Sequence, residues 1–369
     1  MLNKTSIRKI ALFSCAWAAL PLVASVAVAA PAYTVTDLGG GNAAAINDSG
    51  QVVVNGSQAF LYANGTMTGL GTLGGNSSYG TGINANGQVV GYSYTSGASG
   101  TPREHAFLYS GGLMSDLGTL GGDYSYAAGI NNTGQVVGRS MTSSSGTYHA
   151  FLYSGGTMTD LGTLSGDTTS AGVGVNKSGE VVGWSGNLAG TVQAFFYSNG
   201  VMHGLTSLDG NNSIAMAIND SGQVVGGSNT SSGTYQAFLY SDGTMTDIGA
   251  SLGPVLSRAN SINDSGQAVG YYDYNSPASP IHAFLYSNGA VYDLNNLIPS
   301  GSGWMLDYAS GINNLGQIVG RGVNSAGMAD SFLLTPVPEP AALALFALGL
   351  AGLAIRRRNN LEANIVGQH

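Results

Sequence analysis

Apolar residues in this chain come in runs of four to six broken by short polar turns, and the same order of runs returns seven times. One copy reads Ala127-Ala128-Gly129-Ile130-Asn131, then Asn132-Thr133-Gly134, then Gln135-Val136-Val137-Gly138. After a variable stretch it continues with His149-Ala150-Phe151-Leu152-Tyr153-Ser154 and ends with Thr157-Met158-Thr159-Asp160-Leu161. The anchoring asparagines are Asn47, Asn84, Asn131, Asn176, Asn219, Asn263 and Asn313, 37 to 50 residues apart. Periods of this size mark a solenoid, a propeller or an array.

Each copy predicts four strands: the approach to Ile-Asn, then Gly134–Gly138, His149–Ser154 and Thr157–Leu161 in the example above. The first two are joined by a tight turn that closes on glycine, a residue free to take positive φ. The last two are joined by pairs such as Asn64-Gly65, Gly155-Gly156 and Asn288-Gly289, which suit two-residue hairpins. The Ala-Phe-Leu-Tyr runs are apolar on both faces, as a sheet packed between two other sheets requires. Seven copies carry the first three strands, but only six are followed by a fourth. A matching segment, Tyr33-Thr34-Val35-Thr36-Asp37-Leu38-Gly39, stands at the front of the body. The pattern therefore predicts an all-β fold: a seven-bladed β-propeller of four-stranded repeats, closed by its N-terminal strand. The alternative is a β-solenoid or sandwich array.

The two ends follow other rules. Residues 1–29 combine a basic start, an apolar run and Ala27-Val28-Ala29, the layout of a secretory signal peptide that signal peptidase would cleave before Ala30. The propeller is expected over 30–336. In 337–369, Pro338-Glu339-Pro340 precedes an apolar run from Ala341 to Ile355 and the basic stop Arg356-Arg357-Arg358. Fifteen helical residues span about 22 Å, short of the roughly 30 Å hydrocarbon core, so arginine snorkelling must complete a transmembrane helix. Arginines held in the cytoplasm leave the body outside, transiently anchored in the inner membrane.

Composition removes several function classes. The chain holds 58 glycines and 8% charged residues, yet 43% hydrophobic ones and a mean hydropathy of +0.13, so it has enough apolar surface to fold. Five basic and 17 acidic residues lie between Ala30 and Pro336. Such a body does not suit nucleic acid, whose phosphates are neutralised by Lys and Arg. The single cysteine, Cys15, lies in the signal segment, leaving the body without a thiol or disulfide.

Candidate chemistry is thin. The repeated His105, His149 and His282 sit at equivalent places in different blades and give way to Gln58, Gln193 and Gln236, which reads as a hydrogen-bonding strand residue rather than a metal ligand. Asp37, Asp116, Asp160, Asp247 and Asp293 recur in the fourth strand and read as caps for the next turn. The Asn-Asp-Ser-Gly turns lack the distal bidentate Glu of calcium loops. No catalytic, cofactor-binding or metal residue is assigned. The variable connections at one end of the blades carry Tyr92, Tyr94, Tyr124, Trp184, Tyr271, Tyr272 and Trp304, candidates for stacking on sugar rings.

Two resemblances add to this. The Pro338-Glu339-Pro340, apolar run and Arg356-Arg357-Arg358 tail resembles the PEP-CTERM sorting signal, which implies recognition by an exosortase-type processing enzyme; here Asn359 to His369 continue beyond the arginines. The repeat is similar to the HAF family of extracellular repeats, through His105-Ala106-Phe107, His149-Ala150-Phe151 and His282-Ala283-Phe284, with Asp330-Ser331-Phe332 in the last unit. That family implies a secreted, non-enzymatic repeat protein. The expectation is an exported cell-surface or biofilm-matrix protein, non-catalytic, binding or structural in role and associated with exopolysaccharide. The alternatives are an extracellular carbohydrate-active enzyme, hydrolase or lyase, with its site on the variable-loop face, and an adhesive module for protein partners.

Overall fold

A computed structural model describes residues 32–96, 103–143, 146–253, 255–274 and 280–338. The expected signal peptide, the C-terminal helix and most of the sorting signal, including Glu339, Pro340 and the three arginines, lie outside the described residues. Among the described residues no helix is long and apolar enough to cross a membrane.

Among the described residues seven four-stranded antiparallel sheets form the body, six of them simple meanders of consecutive strands. Blades 1 to 6 run over Asn42–Gly69, Gly74–Asp116, Ser125–Asp160, Thr169–Gly204, Asp209–Asp247 and Leu256–Asp293. Blade 7 takes three strands from Met305–Pro336 and its outer strand from Tyr33–Gly40, which pairs antiparallel with Ala329–Pro336 from Tyr33↔Pro336 to Gly40↔Asp330. The N-terminal strand thus closes the ring. Backbone pairing continues one step further, with Val337 N donating to Ala32 O at 2.8 Å.

Local chemistry sets each blade's shape. Asn131 Oδ1 accepts from the backbone of Thr133 and Gln135, at 3.1 and 2.9 Å, and Gly134 takes φ +83°. This side-chain-capped turn uses up Gly134 and Gln135, so the second strand of blade 3 is Val136–Met141 rather than Gly134–Gly138. The same shift occurs in its neighbours. Tyr92, Tyr94, Trp184, Tyr271 and Tyr272 consequently lie inside second strands, not in the variable loops.

The innermost strand of every blade carries a β-bulge at the same step, for example Gly80/Gly82, Ala127/Gly129 and Ala309/Gly311. The skipped residues Thr81, Ala128, Val173, Met216, Asn260 and Ser310 line the central channel, as expected of bulges that re-aim a side chain. The bulge also explains a recurring glycine. A Cβ at Gly91, Gly138, Gly183, Gly226, Gly270 or Gly320 would lie 1.8–2.0 Å from a carbonyl of the innermost strand.

The core sits between blades. Val90, Ala106 and Leu117 of blade 2 pack with Ala127, Val136 and Phe151 of blade 3, and the Phe of each Ala-Phe-Leu-Tyr run from Phe107 to Phe332 is fully buried. Burial of each such ring contributes about 1.5–3 kcal/mol, which is why these runs are apolar on both faces. A serine latches neighbouring blades: Ser125 Oγ accepts from Ala106 N at 2.9 Å and donates to Gly118 O at 2.6 Å. The seven asparagines form a second, circular latch. Each Nδ2 donates to the next blade's asparagine carbonyl, from Asn47 Nδ2 to Asn84 O at 2.9 Å round to Asn313 Nδ2 to Asn47 O at 2.9 Å.

Candidate functional site

One cross-strand position breaks the repetition. It is the first paired step beyond the bulge, where the innermost and second strands meet toward the variable connections. Going round the ring from blade 1, the facing residues are Asn42/Asn55, Tyr79/Tyr92, Tyr126/Arg139, Ala171/Trp184, Ile214/Gly227, Arg258/Tyr271 and Tyr308/Arg321. The next pair outward is Ser facing Ser in blades 2 to 5. Directly opposed side chains on a sheet touch, and here they also reach the next blade.

Blades 6, 7, 1, 2 and 3 assemble these residues into an arc. Tyr271 stacks on Tyr308 with ring centroids 4.9 Å apart. Arg258 lies 5.5 Å from the Tyr271 ring and donates from Nη2 to Tyr308 Oη at 2.9 Å. Across blade 1, Tyr79 stacks on Tyr92 at 5.3 Å and Tyr92 meets Tyr126 edge-on at 5.1 Å. Arg139 sits over both Tyr126 and Tyr148, 5.0 and 5.1 Å from their centroids. Burial and Glu104, which accepts from Tyr126 Oη at 2.7 Å, push that phenol far above its ordinary range. Burial, then Glu104, also raises Tyr92.

Blade 1 leaves a gap in the arc. Its residues at this step are the short Asn42 and Asn55, and Val54 stands where the six other blades have the close-approach glycine. A cleft of about 420 Å³ opens there, with Ala43, Ala44 and Gly80 along it, Tyr79 and Tyr92 on one side, and Tyr308 and Arg321 on the other. Asn55 is held in place by two 2.8 Å bonds with the Gly80 backbone. Arg321 is exposed, and its Nε lies 3.5 Å from Asp307. Burial raises the Asp307 carboxyl and the arginine only partly offsets this. The cleft therefore offers apolar ring faces, phenol hydroxyls and a guanidinium, a combination suited to a polar ligand with flat apolar patches.

The expected residues fall in three groups. Tyr92 and Tyr271 belong to the arc, and Trp184 occupies the equivalent place in blade 4. Tyr94 faces Glu104, whose hydrogen bond raises its phenol, and Tyr124 is half-buried just before blade 3. Tyr272 is 5% exposed and donates to Asp293 Oδ2 at 3.0 Å, while Trp304 is partly buried and packs edge-on against Phe332. Sequence reading missed Tyr79, Tyr126, Tyr308, Arg139, Arg258 and Arg321. The signal was the variation of one position among near-identical repeats.

The histidines and aspartates pair with each other. His105, His149 and His282 place Nδ1 2.7, 2.9 and 2.7 Å from Asp116, Asp160 and Asp293. The same aspartates accept from the next turn, as Gly118 N to Asp116 Oδ1 at 2.7 Å shows. Burial raises Asp116 and Asp293, but the histidine and backbone hydrogen bonds outweigh it and hold both below the usual range. Where Gln replaces His, Gly69 and Gly204 replace Asp in blades 1 and 4; a Cβ there would lie 2.7 and 2.5 Å from the glutamine nitrogen. These are linked structural pairs on the outer strands. The opposite mouth of the channel, lined by the asparagine ring with Asp48, Asp220, Asp264 and Asn314, encloses about 220 Å³.

The fold and the C-terminal motif define an exported seven-bladed propeller. Residues 336–358 match the PEP-CTERM protein-sorting motif, which directs proteins outward through exosortase-type processing. Residues 159–324, from the outer strand of blade 3 into blade 7, match the family described as a protein of unknown function, DUF3466. No curated protein matches the sequence. Among solved structures, the β-propeller domain of the Trilobed protease from Pyrococcus furiosus aligns over 82% of this chain and 93% of its own, with 8% identity and a TM-score of 0.52. That domain has an open velcro topology, unlike the closure seen here. An acylaminoacyl peptidase from Pyrococcus horikoshii aligns over 70% of this chain and 45% of its own (11% identity, TM-score 0.44). The six-bladed Aleuria aurantia lectin aligns over 84% and 97% (11% identity, TM-score 0.35). The first of these likenesses shows the fold.

Proposed function

We propose that this protein is an exported, surface or matrix glycan-binding module, non-catalytic, whose site is the cleft over blade 1 and the tyrosine–arginine arc around it. The observation that carries this reading is one cross-strand position that gathers Tyr79, Tyr92, Tyr126, Tyr271 and Tyr308, with three arginines, at one mouth of the channel. Tyrosine rings offer flat faces to the C–H faces of sugars, at about 1 kcal/mol per ring by analogy with aromatic pairs. Tyr79 is 40% exposed. The test is a glycan array probed with the exported protein, followed by Tyr79→Ala and Tyr308→Ala. Each variant should weaken the best hit about fivefold with the circular dichroism spectrum unchanged, and unaltered binding would refute the site.

A second reading, a carbohydrate-active hydrolase or lyase, is favoured by one contact: Arg258 donates to the Tyr308 hydroxyl at the cleft wall, the kind of charge-assisted bond that tunes a phenol for proton transfer. New reducing ends or unsaturated products on incubation with the array hits, lost in Tyr308→Phe, would establish it. Processing is a separate proposal. Signal peptidase should leave Ala30 as the N-terminus, and an exosortase should remove the tail after transient anchoring in the inner membrane. Terminal peptides of the released protein decide this, and an intact Arg356 would overturn it.

A further inference from the structure

The placement of the basic residues deepens the glycan reading, and the acidic ligand inferred from it rests on that reading. The body has five of them against 17 acidic residues, so on charge alone it should repel polyanions. Three of the five, Arg139, Arg258 and Arg321, nevertheless occupy this one cross-strand position and face a tyrosine in every case. Lys177 lies at the opposite mouth, near Asp220, and Arg103 pairs with Asp123 at 3.0 Å.

The three arginines differ in what they have free. Arg258 is half-buried, giving Nε to Asn260 at 3.0 Å and Nη2 to Tyr308 at 2.9 Å; it holds the tyrosine wall. Arg139 and Arg321 are exposed. The acidic groups at hand are Glu104, hydrogen-bonded to Tyr126 and Tyr94, and Asp307 beside Arg321. Stacking on tyrosines keeps the Arg139 guanidinium flat and accessible at its edges, the geometry that receives a carboxylate in two parallel bonds. Arg139 lies on blade 3 and Arg321 on blade 7, with the Tyr79–Tyr92 stack and the cleft between them. Two cationic ends joined by an aromatic, mostly apolar run match a chain of sugar rings carrying carboxylates at intervals.

We infer that the ligand of this mouth is an acidic polysaccharide of uronate type, its rings stacked on Tyr79, Tyr92 and Tyr308 and its carboxylates received by Arg139 and Arg321. The probes are polygalacturonate and its neutral counterpart, an uncharged galactan of similar length, with the exported protein measured by affinity electrophoresis and calorimetry. Polygalacturonate should bind at least about tenfold more tightly, and its affinity should fall as salt rises. Arg321→Gln and Arg139→Gln should each cost about fivefold, the loss of one exposed ion pair, and flatten the salt dependence. Lys177→Gln, at the far mouth, should change nothing. Equal binding of the two polymers, with arginine variants silent and Tyr79→Ala still damaging, would overturn the acidic ligand and leave the glycan site standing. Binding of neither would sink both, and a loss in Lys177→Gln equal to that in Arg321→Gln would reduce the effect to overall charge.

Discussion

The asparagine ring gives the fold a feature whose removal has a calculable cost. Asn131 is 5% exposed and is used completely. Its Nδ2 donates to Asn176 O at 2.9 Å and to Gln135 Oε1 at 2.7 Å, and its Oδ1 accepts from the backbone of Thr133 and Gln135. With the Thr133 hydroxyl, which donates to Oδ1 at 2.8 Å, Asn131→Ala removes five bonds and leaves the part-buried Thr133 and Gln135 N–H groups without their acceptor, while the Asn176 carbonyl keeps only the Gly179 N–H at 3.0 Å. At about 0.5–1.5 kcal/mol net per bond, with an added penalty for orphaned groups, the loss should be about 3 kcal/mol. A domain of about 300 residues unfolds with an entropy near 0.6 kcal/mol per kelvin, so the melting temperature should fall about 5 °C. Asn131→Asp is the sharper variant. It keeps the three acceptor bonds but sets a carboxylate against the Asn176 carbonyl, and should cost at least as much at pH 7. Burial without a cation raises its pKa, so protonation restores a donor and the variant should recover relative to the parent as pH falls toward 4. Thermal melts followed by far-ultraviolet circular dichroism at both pH values measure this. A loss below about 1 °C, or an Asp variant no less stable than the parent at pH 7, would refute the ring as a latch.

Deleting Tyr33–Gly40 strips Tyr33 and Leu38, both buried, from blade 7 and bares the Ala329–Pro336 strand; melting should drop by more than 5 °C and oligomers should appear by light scattering. Asp293→Asn should destabilise at pH 7. The parent's carboxyl is held below its ordinary value, so its contribution is complete above about pH 4 and vanishes as pH falls through the lowered pKa; the two melting curves should converge in acid. His149→Gln should leave melting within about 1 °C, because the His149–Asp160 contact it removes is a partly exposed pair, whose loss costs little.

The repeat was legible and its mouth was not, for reasons that lie in the range of each residue's contacts. The Asn-x-x-Gly turns, the Asn-Gly hairpins and the two-faced Ala-Phe-Leu-Tyr runs are local consequences of backbone and burial, and the fourth strand missing from the last copy told where the ring closes. The bulge left no such mark. It is a shift of register between separate strands, and without it Thr81 and Met216 cannot be placed in the channel. The tyrosine pairs failed for the same reason. Tyr271 and Tyr272 are adjacent and chemically identical, yet one stacks in the arc and the other is buried beside His282 and Asp293. Strand alternation separates them, and strand ends were the least certain part of the pattern.

Both ends of the described chain leave the ring at one place. Ala329–Pro336 runs toward the tight-turn side, where Pro336 lies against the Gly316 turn, and Tyr33 starts beside it. The Pro338 of the sorting motif follows within two residues. The tyrosine–arginine mouth opens on the opposite side. The cleft therefore opens away from the side on which the described chain runs into the sorting motif. A cut beyond Pro338 would leave the ring whole, because every strand that closes it lies before that residue.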